Sequence, residues 1–270
     1  MTTHTGPINP DEFTTLRITE SEDRVLAQLD RPEVRNAIDA IMIAELHNLC
    51  GYLEEHPKIL ILTGTVVESD GADGKGIFAS GADIGQLRER RRADALRGIN
   101  STAFDRLAKL PMPVIAAVDG YALGGGAELA WAADFRVATT RVKVGQPETN
   151  LGIIPAAGAL WRLKELAGES IAKELLLTGR ILSAQEALEH GLVTSVHEPG
   201  ELLQAAEALA DRIAAQDPLA VQVAKRVFAM PREAHPHVDD LAQAILFESQ
   251  AKFDRMQAFL DRKKTKEKND

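Results

Sequence analysis

Two glutamates, Glu128 and Glu148, each sit beside a glycine-marked turn, the first after three consecutive glycines (Gly124, Gly125 and Gly126) and the second in a Gln-Pro-Glu step. Two carboxyl groups gathered at one site do not both ionise readily: one holds a proton while the other stays basic. An acid and a base in one pocket would be the result. The first glutamate follows an apolar run, Val114 to Val118, and opens a stretch of good helix formers. Glycine lets backbone approach a ligand closely, and a helix N-terminus offers unpaired N–H groups and partial positive charge. Such a turn suits an anion, or a carbonyl oxygen that becomes negative during reaction. With a helix starting at Gly125, Glu128 shares its face and addresses the same ligand. A purely structural reading remains open here, in which the glycines only permit tight strand–helix packing and Glu128 is a solvated first-turn residue.

Other chemistries fit less well. A dinucleotide fingerprint lacks its G-x-G-x-x-G, and a P-loop lacks its G-K-[ST]. The turn FASGADI, residues 78–84, repeats the form of the first, with Asp83 as an N-cap and Ser80 offering an amide. Ser80 has no nucleophile elbow around it. His235 and His237 flank a proline without a third metal ligand. The basic run Arg88 to Arg92 reads as a solvated helical face, with a role near a ligand phosphate as the alternative. Cys50 is the single cysteine, so no internal disulfide is possible, and a buried inert thiol in a reducing compartment is expected.

The elements that must position these groups alternate. Residues 16–29 read as a hairpin, 38–53 as a helix, and 59–64 as a buried strand. A polar glycine-rich loop follows between Val67 and Ile77, then a strand near Ile77, a turn and a helix from Ile84, a strand at Val114 to Val118, a helix from Gly125 and a strand at Phe135 to Thr139. This is an α/β pattern. From Pro199 onward it gives way to helices, at 202–216 and 238–260. The expected organisation is a flexible lead-in (1–13), a catalytic core (14–198), a helical region (199–262) and a charged tail (263–270), disordered at its end. With 45% hydrophobic residues the chain can bury a sizeable core, while a net charge of -9 speaks against nucleic acid and anionic membrane surfaces. The absence of an apolar leader or span leads to the expectation of a cytoplasmic protein that does not enter a membrane.

Five motifs in order, RPEVRNAI, FASGADI, PVIAAVDGYALGGGAELAWAADFRVAT, VGQPETNLGIIP and LLLTGRILSAQEALEHGLV, resemble those of the crotonase (enoyl-CoA hydratase/isomerase) superfamily, and most of all enoyl-CoA hydratases. The resemblance covers residues 16–260. It implies a spiral of ββα units with a C-terminal helical trimerisation region, giving homotrimers or hexamers built as dimers of trimers. It implies Glu128 and Glu148 as the catalytic pair, and the amides of Ser80 and Gly125 as an oxyanion hole for the thioester carbonyl of an acyl-CoA. Val34, Arg35, Ala79, Gly81, Ala82, Asp83 and Gly124 are the implied substrate and CoA contacts. No metal or other cofactor is implied, since CoA arrives with the substrate. The implied reaction is reversible hydration of a trans-2-enoyl-CoA to a 3-hydroxyacyl-CoA. Delta-isomerisation of an enoyl-CoA and a vestigial acyl-CoA- or RNA-binding module are the alternatives. Two departures stand out: Glu33 replaces a lysine of the pattern, and Ala156, Leu160 and Trp161 replace smaller or polar residues after the second glutamate. The latter two are expected to narrow the acyl pocket.

Overall fold

The computed structural model describes residues 8–67 and 74–269, so residues 68–73 of the loop after Val67 and the first seven of the lead-in lie outside the described residues. The hairpin is β1 (Leu16–Glu20) and β2 (Arg24–Leu29), paired antiparallel. Its entry is held by the buried Glu45 carboxylate, which accepts the backbone N–H groups of Thr14, Thr15 and Leu16 and both threonine hydroxyls. Glu45 belongs to α1 (Ala40–Glu55), whose N-cap Asp39 accepts the Met42 N–H.

Thereafter the chain climbs in repeated steps. β3 (Ile59–Thr63) leads to β4 (Thr65–Val67) and β5 (Lys75–Ala79), then to α2 (Ile84–Glu89), α3 (Arg92–Leu96) and α4 (Ile99–Ala108). β6 (Val114–Val118) leads to β7 (Tyr121–Leu123) and α5 (Gly125–Trp131), and β8 (Phe135–Thr139) to β9 (Lys143–Gly145) and α6 (Ala159–Thr178), which bends at the non-helical Gly168. The first strand of each step joins a six-stranded sheet, β1-β2-β3-β6-β8-β11, parallel from β2 onward; the second joins a five-stranded sheet, β10-β9-β7-β5-β4. β10 (Ile181–Ser183), α7 (Ala184–Glu189) and β11 (Ser195–His197) complete both sheets. This staircase is the spiral of ββα units. β3 and β6 are buried at every position, as parallel strands covered on both faces must be, which is why they read as unbroken apolar runs.

The helical run contains α8 (Leu202–Ala214), α9 (Pro218–Phe228), α10 (His237–Phe247) and α11 (Gln250–Asn269). The chain divides into two compact units, 1–212 and 213–270, so α8 belongs mainly to the first. The helix expected over 238–260 is two helices: the turn at Glu248 and Ser249 breaks it, and the Ser249 hydroxyl accepts the Lys252 N–H as an N-cap does. The charged tail, whose composition suggests disorder, continues α11 through Asn269. No helix among the described residues is long and apolar enough to cross a membrane.

Candidate active site

The three glycines end β7 and begin α5, and each has a different neighbour. A Cβ on Gly124, whose φ is +51°, would lie 2.8 Å from Glu148 Oε1. One on Gly126 would lie 2.3 Å from the Ala79 carbonyl oxygen. One on Gly125 would lie 3.4 Å from the Ala82 amide nitrogen. Glycine is therefore favoured at Gly124 by its left-handed backbone, with the second carboxyl group close by, and at Gly126 by the packing of α5 on β5, while at Gly125 it leaves the helix N-terminus open to the FASGADI turn.

One of the expected oxyanion donors is corrected. The Ser80 N–H donates to the Arg35 carbonyl at 3.0 Å and has no hydrogen left for a substrate. Asn36 causes this: fully buried, with φ +53°, it donates from Nδ2 to Thr65 Oγ1 and to the Ile77 and Phe78 carbonyls, while its Oδ1 accepts the Arg31 N–H. The preceding carbonyl is thereby fixed against Ser80. Two residues on, Ile38 clasps the turn by donating to Gly81 O and accepting from Asp83 N–H. Gly81, at φ +116°, redirects the chain. The Ala82 N–H then has no acceptor among the described residues and lies beside the N–H of Gly125, which has none either. The pair of free amides is Ala82 and Gly125.

Both glutamates reach the same cavity, of about 860 Å³, which Ser80, Gly81, Ala82, Gly124 and Gly125 also line. Glu128 is 3% exposed, and its Oε1 accepts N–H groups from Ala157 at 2.7 Å and Ala159 at 3.1 Å. Burial raises its pKa, against the pull of those two amides and the nearby Arg162 charge. Glu148 is 8% exposed and opens a short 3-10 turn; its Oε2 is buried with no partner among the described residues. Burial pushes its pKa up to about 7; its own backbone N–H opposes the rise and the Glu128 charge adds to it. Bonds to the ionised form favour charge, and their absence favours the proton. Glu128 is thus the better base and Glu148 the better acid.

Of the other expected contacts, Gly81, Ala82 and Gly124 line the cavity. Ala79 is fully buried behind it, its carbonyl against Gly126. Val34, Arg35 and Asp83 fall outside the lining; Asp83 caps α2 by accepting the Gln86 N–H. Leu160 and Trp161 do not narrow the pocket: both are about half exposed on α6, and the Trp161 ring stacks on the Arg162 guanidinium at 4.0 Å. Ala156 and Ala157 line the cavity in their place. Burial pushes the Cys50 thiol up to about 12, so it is inert. His235 pairs with Asp239 through Nδ1, and among the described residues no His, Cys, Asp and Glu cluster suits a metal. The sequence reading missed Asn100, whose Nδ2 would lie 3.9 Å from a Cβ on Gly125 while its Oδ1 accepts from Arg90 Nη1 at 3.0 Å. Asn100 sits in no recognisable motif, whereas Arg90 belongs to the basic run 88–92.

A family model described as enoyl-CoA hydratase/isomerase matches residues 21–269. The chain belongs to the enoyl-CoA hydratase/isomerase family. It is 36% identical to the short-chain-enoyl-CoA hydratase of Clostridium acetobutylicum over 261 residues, 92% of this chain and 95% of that one. It is 34% identical to the crotonyl-CoA hydratase of Syntrophomonas wolfei, over 92% of this chain and 95% of that one. Among solved structures, the enoyl-CoA hydratase of Bacillus anthracis superposes with a TM-score of 0.84 at 32% identity, covering 92% of this chain and 97% of the other. The spiral with its two sheets is therefore the fold of this family, and the cavity falls in its shared part.

Proposed function

We propose that this protein adds water reversibly across the double bond of a trans-2-enoyl-CoA, giving the 3-hydroxyacyl-CoA. The observation that carries this is one cavity holding two buried carboxyl groups of unlike surroundings beside two unoccupied amides. The thioester oxygen accepts the Ala82 and Gly125 N–H groups, which stabilise the enolate-like charge that develops on it; such a donor contributes about 3–4 kcal/mol. Glu128, oriented by the Ala157 and Ala159 amides, takes a proton from the water that attacks C3. Glu148 delivers its proton to C2. Water supplies all the atoms added, and the chemistry calls for no metal or redox group.

Hydration of crotonyl-CoA by the wild type, Glu128→Gln and Glu148→Gln tests the proposal. Each substitution is expected to cut kcat by about 10² or more, the usual scale of acid–base catalysis. Undiminished turnover in either variant would sink the two-carboxylate mechanism. Oxygen-labelled water separates hydration from delta-isomerisation, because the 3-hydroxyacyl-CoA carries the label whereas an isomerase returns an enoyl-CoA that has gained no oxygen. Assembly into trimers or hexamers completes the reading and rests on the resemblance and on the exposed apolar faces discussed below; a cytoplasmic location is proposed with it, from the single unpaired Cys50.

A further inference from the structure

The cavity carries a charge that the hydration chemistry does not use. Where α2 passes into α3, Arg90, Arg91 and Arg92 all line it. None of the three has a carboxylate partner among the described residues. Arg90 donates only to the neutral Asn100, and Arg91 and Arg92 are exposed. The one acidic side chain on that wall, Asp94, is already engaged, accepting the Arg91 backbone N–H at 2.9 Å and lying 3.8 Å from Arg97. Ile84, Leu87 and Ile99 give the same cavity apolar lining. An anionic group is what such a wall receives, since guanidinium presents a planar fork of donors matched to carboxylate or phosphate.

Position decides between these two sources. Asn100 links the two ends: its Oδ1 accepts from Arg90 Nη1 at 3.0 Å, and its Nδ2 would lie 3.9 Å from a Cβ on Gly125, the glycine whose amide is proposed to hold the thioester oxygen. In a CoA thioester the phosphates are separated from that oxygen by the whole pantetheine arm, whereas the far end of a short acyl chain is only a few bonds away. We propose that the substrate is an enoyl-CoA whose short acyl chain ends in a carboxylate, and that Arg90, with Arg91 and Arg92 beside it in the cavity lining, holds that carboxylate. The carboxylate takes no part in the reaction; it selects and orients the chain.

This rests on the hydratase reading, and the test keeps the two apart. Glutaconyl-CoA and its homologue longer by one methylene would be compared with crotonyl-CoA and trans-2-hexenoyl-CoA for kcat/KM in the wild type, Arg90→Gln and Arg92→Gln. Glutaryl-CoA against butyryl-CoA, measured by calorimetry, reads the arginine wall without turnover. The wild type is expected to favour the carboxylated member of each pair by about tenfold or more, and each substitution to reduce that preference by about tenfold, the scale of one charge-assisted hydrogen bond. A wild type that prefers crotonyl-CoA and butyryl-CoA overturns the inference. So do variants that weaken both classes equally and weaken inhibition by free CoA to the same degree, since the arginines then hold CoA phosphate. Tighter binding of glutaryl-CoA without hydration of any enoyl-CoA upholds the carboxylate site and overturns the hydratase reading alone.

Discussion

Glu148 is held at odds with stability. Its pKa in the folded protein, about 7, lies above the ordinary carboxyl value of 4.5, because burial and the Glu128 charge both oppose ionisation. Between those two pH values the folded protein retains a proton that the unfolded chain releases, so stability falls as pH rises through the window. The full difference is on the order of 3 kcal/mol, from roughly 1.4 kcal/mol per unit. Glutamine keeps the shape and removes the charge. Glu148→Gln is therefore expected to melt at a higher temperature than wild type above pH 7 while losing hydration activity, and calorimetry beside the crotonyl-CoA assay checks both. An equal or lower melting temperature there contradicts the buried-acid reading. The same group sets an alkaline limb: kcat/KM should decline as pH rises through about 7, when Glu148 loses the proton it must donate. A rate still climbing beyond that point assigns the acid elsewhere.

At the scale of elements, neighbouring glycines of one turn separate folding from catalysis. A methyl group on Gly126 meets the Ala79 carbonyl, so Gly126→Ala pushes α5 away from β5 and should cost about 1–3 kcal/mol in denaturant unfolding. A methyl group on Gly124 meets the flexible end of Glu148 from a left-handed backbone position, so Gly124→Ala should lose more activity than its stability change explains. Equal effects of the two on kcat/KM at matched stability would refute this division. The glycine turns and both carboxylates were legible in the sequence because helix starts and close backbone approaches leave local marks. The oxyanion donor was misplaced by two residues because the acceptor that occupies the Ser80 amide, Arg35 O, comes from another loop held by Asn36. β7, β9 and β10 are only three residues each, too short to show a period, and β7 was read as part of the turn. The two amides that hold Glu128 sit on the stretch after the second glutamate, where departures from the family pattern drew attention to side chains and not to backbone.

At the scale of the whole molecule, the unit formed by residues 213–270 lacks an interior of its own. None of its described side chains is classed as buried, and Phe228 is 90% exposed, with Leu241, Ile245, Phe253, Met256 and Phe259 more than half exposed. Amphipathic helices are stabilised chiefly by burying their apolar face, and contiguous apolar surface on a folded protein marks an interface. Copies of this chain are the occupants that the family resemblance implies. A net charge of -9 on each chain opposes association, so apolar contacts must supply the attraction and added salt should strengthen it by screening. Light scattering after size exclusion is expected to give three or six times the 29.3 kDa chain mass. Phe259→Asp, which introduces a charge on an apolar face remote in sequence from the catalytic turns, should shift the population toward monomer as the protein is diluted. A wild type that is monomeric at micromolar concentration would contradict assembly through these helices and leave their apolar faces to a different partner.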